Sequence, residues 1–139
     1  MSPEQLQAKL AYLAEALAKL RQLPQTTLAE FRADPRNLDA ALHRLQVAIQ
    51  ILIDIGSHVV ARLGLGVPDS SRDLLERLER NGHIPEGSVT RFGRMFAFRN
   101  RVVHLYDRVD DEHVFAIVTN DLADLEELAT RYIDLLAGQ

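Results

Sequence analysis

Phe92-Gly93-Arg94-Met95-Phe96-Ala97-Phe98-Arg99-Asn100-Arg101-Val102-Val103-His104-Leu105-Tyr106 is the stretch on which the rest of the chain is read. Phe92, Met95, Phe96, Phe98, Val102 and Val103 recur at helical spacing, so the segment reads as a buried helix. Into its C-terminal half it places an arginine, an amide, a histidine and a phenol. Such groups are costly on an apolar helix unless they are paired or used. Between Gly87 and Tyr106 there are four arginines (Arg91, Arg94, Arg99, Arg101) and no Asp or Glu, although the whole chain carries a net charge of −4. A local cationic site on an acidic protein suits chemistry on phosphates. The same net charge argues against a protein that coats nucleic acid without specificity, which needs a broad basic surface.

Outward from this stretch the pattern is helical throughout. The 139 residues, 47% of them hydrophobic, fit one domain over 1–139 with a real core. On the N-terminal side, Ser2-Pro3 opens a helix with Leu6, Leu10, Leu13, Leu17 and Leu20 as its seam, ending near Leu23 before Pro24. Thr27 to Ala33 reads as a short helical connector with Leu28 and Phe31 inward. Asp34-Pro35 then starts one long helix reaching about Leu63, apolar over so much of its circumference that it is either central or packed on two sides. A second protomer would supply the second side. Gly64 to Pro68 forms a loop, Ser70 or Ser71 caps a helix with Leu74, Leu75 and Leu78 inward, and Asn81-Gly82 stops it. Pro85-Glu86 starts the motif helix, and Tyr106 to Asp110 forms a turn. Asp110 or Asp111 caps one final helix carrying Val114, Ile117, Leu122, Leu125, Leu128, Tyr132 and Leu135. No segment alternates with period two. The fold class is all-α, a bundle with long helices and short connections.

With no cysteine, thiolate catalysis and Cys-type zinc sites are excluded. Met1-Ser2-Pro3-Glu4-Gln5-Leu6 is polar and then amphipathic, unlike a secretory leader, and no apolar run is read as spanning a membrane. A cytoplasmic location is expected.

The motif helix offers specific chemistry. Asn100 and His104, four apart, share a face, as do Arg101 and His104. Arg99 and His104, five apart, diverge by about 140° on a straight helix. Fraying of the helix end, or a second copy across a dimer, would bring them onto one ligand. Histidine suits both removal and donation of a proton, so His104 is the candidate base toward a ribose 2′-hydroxyl. Arg99 is the candidate to stabilise charge on the attacked phosphate, and Asn100 to hold the imidazole or that phosphate. Asp54 and His58, also four apart, could present two metal ligands but lack a third at suitable spacing. They read as a buried hydrogen-bonded pair supporting the site, with no metal expected. Arg91 and Arg94 read as a solvated face lying where an RNA strand could approach. Glu126 is the carboxylate with which Arg99 would pair if its role were structural. His43, His83 and His113 receive no role.

Arg99-x4-His104 resembles the R-x4–6-H motif of HEPN-domain ribonucleases, and Arg99-Asn100-x3-His104-x-Tyr106 resembles the R-N-x3-H-x-Y signature of the HepT toxins. Asp54-Ile55-Gly56-Ser57-His58 is similar to the D-x3-H segment of that family's long helix. The Gly66-Val67-Pro68 loop, Phe98 and the Asp124-Leu125-Glu126 region also fit, so the likeness runs from about Leu38 to Ile133. The resemblance implies an HEPN-type bundle of long antiparallel helices, dimeric, with two motifs meeting at a cleft between subunits. It further implies the toxin of a type VII toxin–antitoxin pair, a metal-independent endoribonuclease acting by 2′-OH attack. In that scheme Arg99 and His104 are catalytic and Asn100 and Arg101 bind or position substrate. An MntA-like nucleotidyltransferase silences the toxin by transferring AMP from ATP, with magnesium, onto Tyr106. The toxin itself needs no cofactor, and its other partner is RNA. A competing class is a non-catalytic helical dimer that binds and regulates a nucleotidyltransferase or nucleotide.

Overall fold

The longest helix lies at the centre and every other helix packs against it. This is α3 (Arg36–Arg62), surrounded by α1 (Pro3–Arg21), α2 (Leu28–Ala33), α4 (Ser71–Arg80), α5 (Ser88–His104), α6 (Asp111–Asn120) and α7 (Leu122–Ala137). The computed structural model describes residues 1–104 and 110–138, with Val103 and His104 described by backbone alone. Ala41, Leu45, Ala48, Ile49, Leu52, Ile55, Val59 and Val60 of α3 are all buried. Each large aliphatic among them contributes about 1.5–3 kcal/mol on leaving water. By length and composition α3 would also cross a membrane, but half of its most apolar window is buried inside the bundle.

Local chemistry sets the helix ends. Ser2 and Gln5 form a reciprocal capping box at the start of α1, and Thr27 Oγ1 accepts from Glu30 N at the start of α2. Only Leu13, Leu17 and Leu20 of the α1 seam are fully buried, whereas Leu6 and Leu10 are half-buried. At the start of α3, Asp34 Oδ1 accepts from Arg36 N and Pro35 already has helical dihedrals, as the Asp34-Pro35 signal predicts. Ser70, not Ser71, caps α4, and Asp110, not Asp111, caps α6.

α5 begins differently. The residue before its first turn is Gly87, which has no side chain to cap with. Gly87, at φ +94°, turns the chain in, and Glu79 of α4 accepts from Val89 N at 2.8 Å. A neighbouring helix thus supplies the carboxylate that satisfies an orphan N–H.

The loop between α3 and α4 is braced. Arg77 donates to the Leu65 carbonyl at 2.7 Å and pairs with Asp73 at 2.8 Å, while Asp73 also accepts from Asp69 N. Gly66 has φ +88°, and a Cβ there would stand 2.8 Å from the Arg77 guanidinium. The brace leaves Val67 83% exposed.

One expectation is corrected. The final helix is two, α6 and α7, meeting at Asp121. Thr119 Oγ1 accepts no backbone proton but donates back to the Phe115 and Ala116 carbonyls, and Asn120 and Asp121 follow it. Such side chains compete with the helix ladder and bend it. The apolar faces continue across the bend through Val118, Leu122 and Leu125. The expected Tyr106-to-Asp110 turn lies, up to Asp110, outside the described residues.

Candidate functional site

α5 is fixed by its buried side, where Phe92, Met95, Phe96, Phe98 and Val102 enter the core. That registration places the polar members of the motif. Arg99 is half-buried, and Asn100 and Arg101 are exposed. His104 ends the helix, its side chain outside the described set, and Tyr106 lies among the residues not described.

Arg99 Nε is buried and has no hydrogen-bond partner among the described residues. Buried donors are nearly always satisfied, so an orphan one needs a reason. The structural partner considered from sequence, Glu126, is taken by Arg21 of α1 at 2.7 Å. Arg131 Nε on α7 is orphaned in the same way, so the orphan donor alone does not mark a site. What sets Arg99 apart is its place at the head of the R-N-x3-H run.

Asp54 and His58 are not the bonded pair that their spacing predicts. One Asp54 oxygen accepts from Gln50 at 2.8 Å and the other pairs with Lys9 of α1 at 3.2 Å. Lys9 is 45 residues away in sequence and competes successfully because α1 runs along α3. His58 lies one turn further on, half-buried. Burial, followed by the charges of the amino terminus and Arg62, holds its imidazole below the ordinary value. No hydrogen bond or ion pair joins Asp54 or His58 to Arg99, Asn100 or Arg101 among the described residues. Nor do these residues include any group of three or more His, Asp or Glu placed to hold a metal ion.

Two neighbours of the motif escape the sequence reading. The ring of His113, on α6, meets the ring of Phe98 edge-on at 5.4 Å between centroids, next to Arg99 in the chain. Arg91 is not a solvated cation: it donates to Asp124 at 2.6 Å and pairs with Glu127, both on α7. Neither contact follows a local spacing, since each joins helices that meet only in the fold.

A central apolar helix with the six others among the described residues packed on it, and R-N-x3-H at the end of one of them, defines an HEPN-type helical protein. The family model for HepT-like ribonucleases matches residues 13–132, and the chain belongs to that family. It is 27% identical over 131 residues to the mRNA nuclease HepT of Shewanella oneidensis, covering 94% of this chain and 95% of that one. It is 29% identical over 136 residues to a putative RNase of Archaeoglobus fulgidus, covering 98% and 96%. Among solved structures it superimposes on the tri-AMPylated HEPN toxin of Shewanella oneidensis in complex with its MNT antitoxin. There the TM-score is 0.82 with 26% identity and full coverage of both chains.

Proposed function

We propose that this chain is the toxin of a toxin–antitoxin pair and a cytoplasmic endoribonuclease that needs no metal. The observation that carries the reading is Arg99: a guanidinium with a buried donor unmatched among the described residues, at the head of the family's motif, its structural alternative already occupied by Arg21. His104 takes the proton of a ribose 2′-hydroxyl, and the oxygen attacks the adjacent phosphorus. Arg99 stabilises the charge gathering on the phosphate oxygens, and the departing 5′-oxygen receives a proton from an imidazolium. Asn100 and Arg101 hold the phosphate. Because Arg99 and His104 diverge on one helix, the working site combines two protomers of a homodimer. Asp54 and His58 support that cleft as separate groups. Tyr106 is the acceptor of AMP from a nucleotidyltransferase antitoxin, which uses ATP and magnesium itself.

The test is RNA cleavage in EDTA by the wild type, Arg99→Ala and His104→Ala. Each substitution should lower the rate by about 10²-fold or more, the scale of a lost acid–base or charge-stabilising group. Equal cleavage by all three proteins would trace the activity to a contaminant. Incubation with the cognate transferase and ATP should add AMP to the wild type and leave Tyr106→Phe unmodified by intact mass. Equal AMP on both would place the acceptor elsewhere.

A further inference from the structure

The four arginines of α5 fall into different roles once their partners are known. Arg91 is consumed by Asp124 and Glu127. Arg99 is half-buried. Arg94 and Arg101 are exposed, and neither makes an ion pair among the described residues. Asp121, at the α6–α7 bend, feels the charge of Arg94 without bonding to it.

At about 100° per residue, positions 94, 97 and 101 lie on one face of α5, and position 104 falls on the same face by register. Residues 94 and 101 are separated by about 10 Å along the axis. Between them Ala97 is exposed, and one turn before it Gly93 has nothing within 4 Å of where a Cβ would stand. Between the two cations this face therefore presents only the small side chain of Ala97, and Gly93 leaves the turn before Arg94 equally bare, so a polyanion can approach closely. No carboxylate occurs from Gly87 to Tyr106, in a chain whose net charge is −4.

From this we infer that the outer face of α5 is a track for single-stranded RNA, with Arg94 binding a phosphate beyond the one that is cleaved. Arg94 is thus a substrate-binding residue for strand length, outside the motif. The inference rests on the ribonuclease reading above and extends it from the reacting phosphate to the flanking strand. Single-stranded RNA is favoured over an acidic peptide because the two cations are spaced along an axis, with the small side chain of Ala97 exposed between them on that face.

The experiment uses the full-length protein and a 2′-O-methylated oligoribonucleotide of about 12 residues, which cannot be cleaved by 2′-OH attack. Its binding is followed by fluorescence anisotropy over a salt series. Arg94→Ala should weaken binding about 3- to 10-fold and reduce the log–log salt slope by about 0.7, one single-strand phosphate contact. Arg94→Lys should recover most of the slope. Arg72→Ala, which removes the same charge from the exposed face of α4, should change neither quantity. In cleavage, Arg94→Ala should raise KM for an unmodified RNA of the same length and leave kcat in place. A dinucleotide, carrying only the attacked phosphate, should be cut equally by Arg94→Ala and wild type.

Unchanged affinity and slope in Arg94→Ala would overturn the track. Equal loss on the dinucleotide would also overturn it, since Arg94 would then act at the reacting phosphate. Competition by polyglutamate as effective as by RNA would make the face a general polyanion surface, with the same result. A wild type that binds the methylated strand through Arg94 but cleaves no RNA would sink the ribonuclease reading and leave the track. A wild type that cleaves while ignoring Arg94 would do the reverse, and one that neither binds nor cleaves would sink both.

Discussion

Gly56 sits in the middle of α3 because two other side chains occupy its space. A Cβ there would run into the Tyr132 hydroxyl and stand 2.8 Å from a Leu74 methyl. The Tyr132 ring is fully buried and its hydroxyl has no partner among the described residues, so burial pushes the phenol far up and keeps it protonated. Gly56→Ala should therefore destabilise the protein by about 1–3 kcal/mol in urea, overriding the helix-propensity gain of about 1 kcal/mol. Tyr132→Phe removes an unsatisfied hydroxyl and should raise stability by about 1 kcal/mol. In the double variant the alanine should cost less than it does alone. A Gly56→Ala protein as stable as wild type would refute the packing argument. The sequence could not announce this: Gly56 lies inside the Asp54-to-His58 run, and periodicity does not separate a contact glycine from a filler. It misjudged the ends of the same run because Lys9, the partner that wins Asp54, comes from another helix. His58 carries a pH consequence. Its folded pKa is depressed, so below about pH 6.5 the unfolded chain takes up the proton more readily. Stability should be full above that pH and fall as pH drops through it. His58→Gln should flatten the difference between urea midpoints at neutral and mildly acidic pH, and an undiminished difference would assign it to other groups.

Helix existence was legible almost everywhere from caps and apolar spacing, because each signal acts within one or two turns. The α6–α7 bend was not, since Val118, Leu122 and Leu125 keep helical spacing while Thr119 redirects the backbone beneath them. The braced loop before α4 was visible as a loop from Gly64, Gly66 and Pro68, but its rigidity depends on Arg77, a full helical turn inside the next element. Arg77→Ala removes two charged hydrogen bonds and leaves the Leu65 carbonyl and Asp73 under-satisfied. It should cost about 1–3 kcal/mol and speed amide exchange across residues 64–70 more than in α1. Uniform acceleration over the whole chain would mean that Arg77 serves global stability and not the loop.

At the scale of the molecule, the six other helices among the described residues all pack on α3, yet Leu38, Leu42, Val47 and Ile53 stay partly exposed along it. The sharper argument for a dimer is the motif geometry, which separates Arg99 and His104 around one helix. Light scattering should find a dimer at micromolar concentration. Mixing Arg99→Ala with His104→Ala protomers should restore cleavage, because one of the two composite sites in the heterodimer is intact. No restoration would show that each site is built from one chain. The candidate site was legible as a motif and not as an environment, since the partners of Arg91, Asp54 and Glu126 were all set by tertiary packing. The carboxylate of Glu79, which closes the N-terminus of α5, carries one more consequence. A peptide of residues 85–104 would lack that acceptor, together with the tertiary packing that supplies most of a helix's stability in a protein. On the ribosome, however, Glu79 emerges before Val89. The nascent chain therefore presents the template for the motif helix ahead of the motif itself, and the order of synthesis favours α5 winding onto a finished α4.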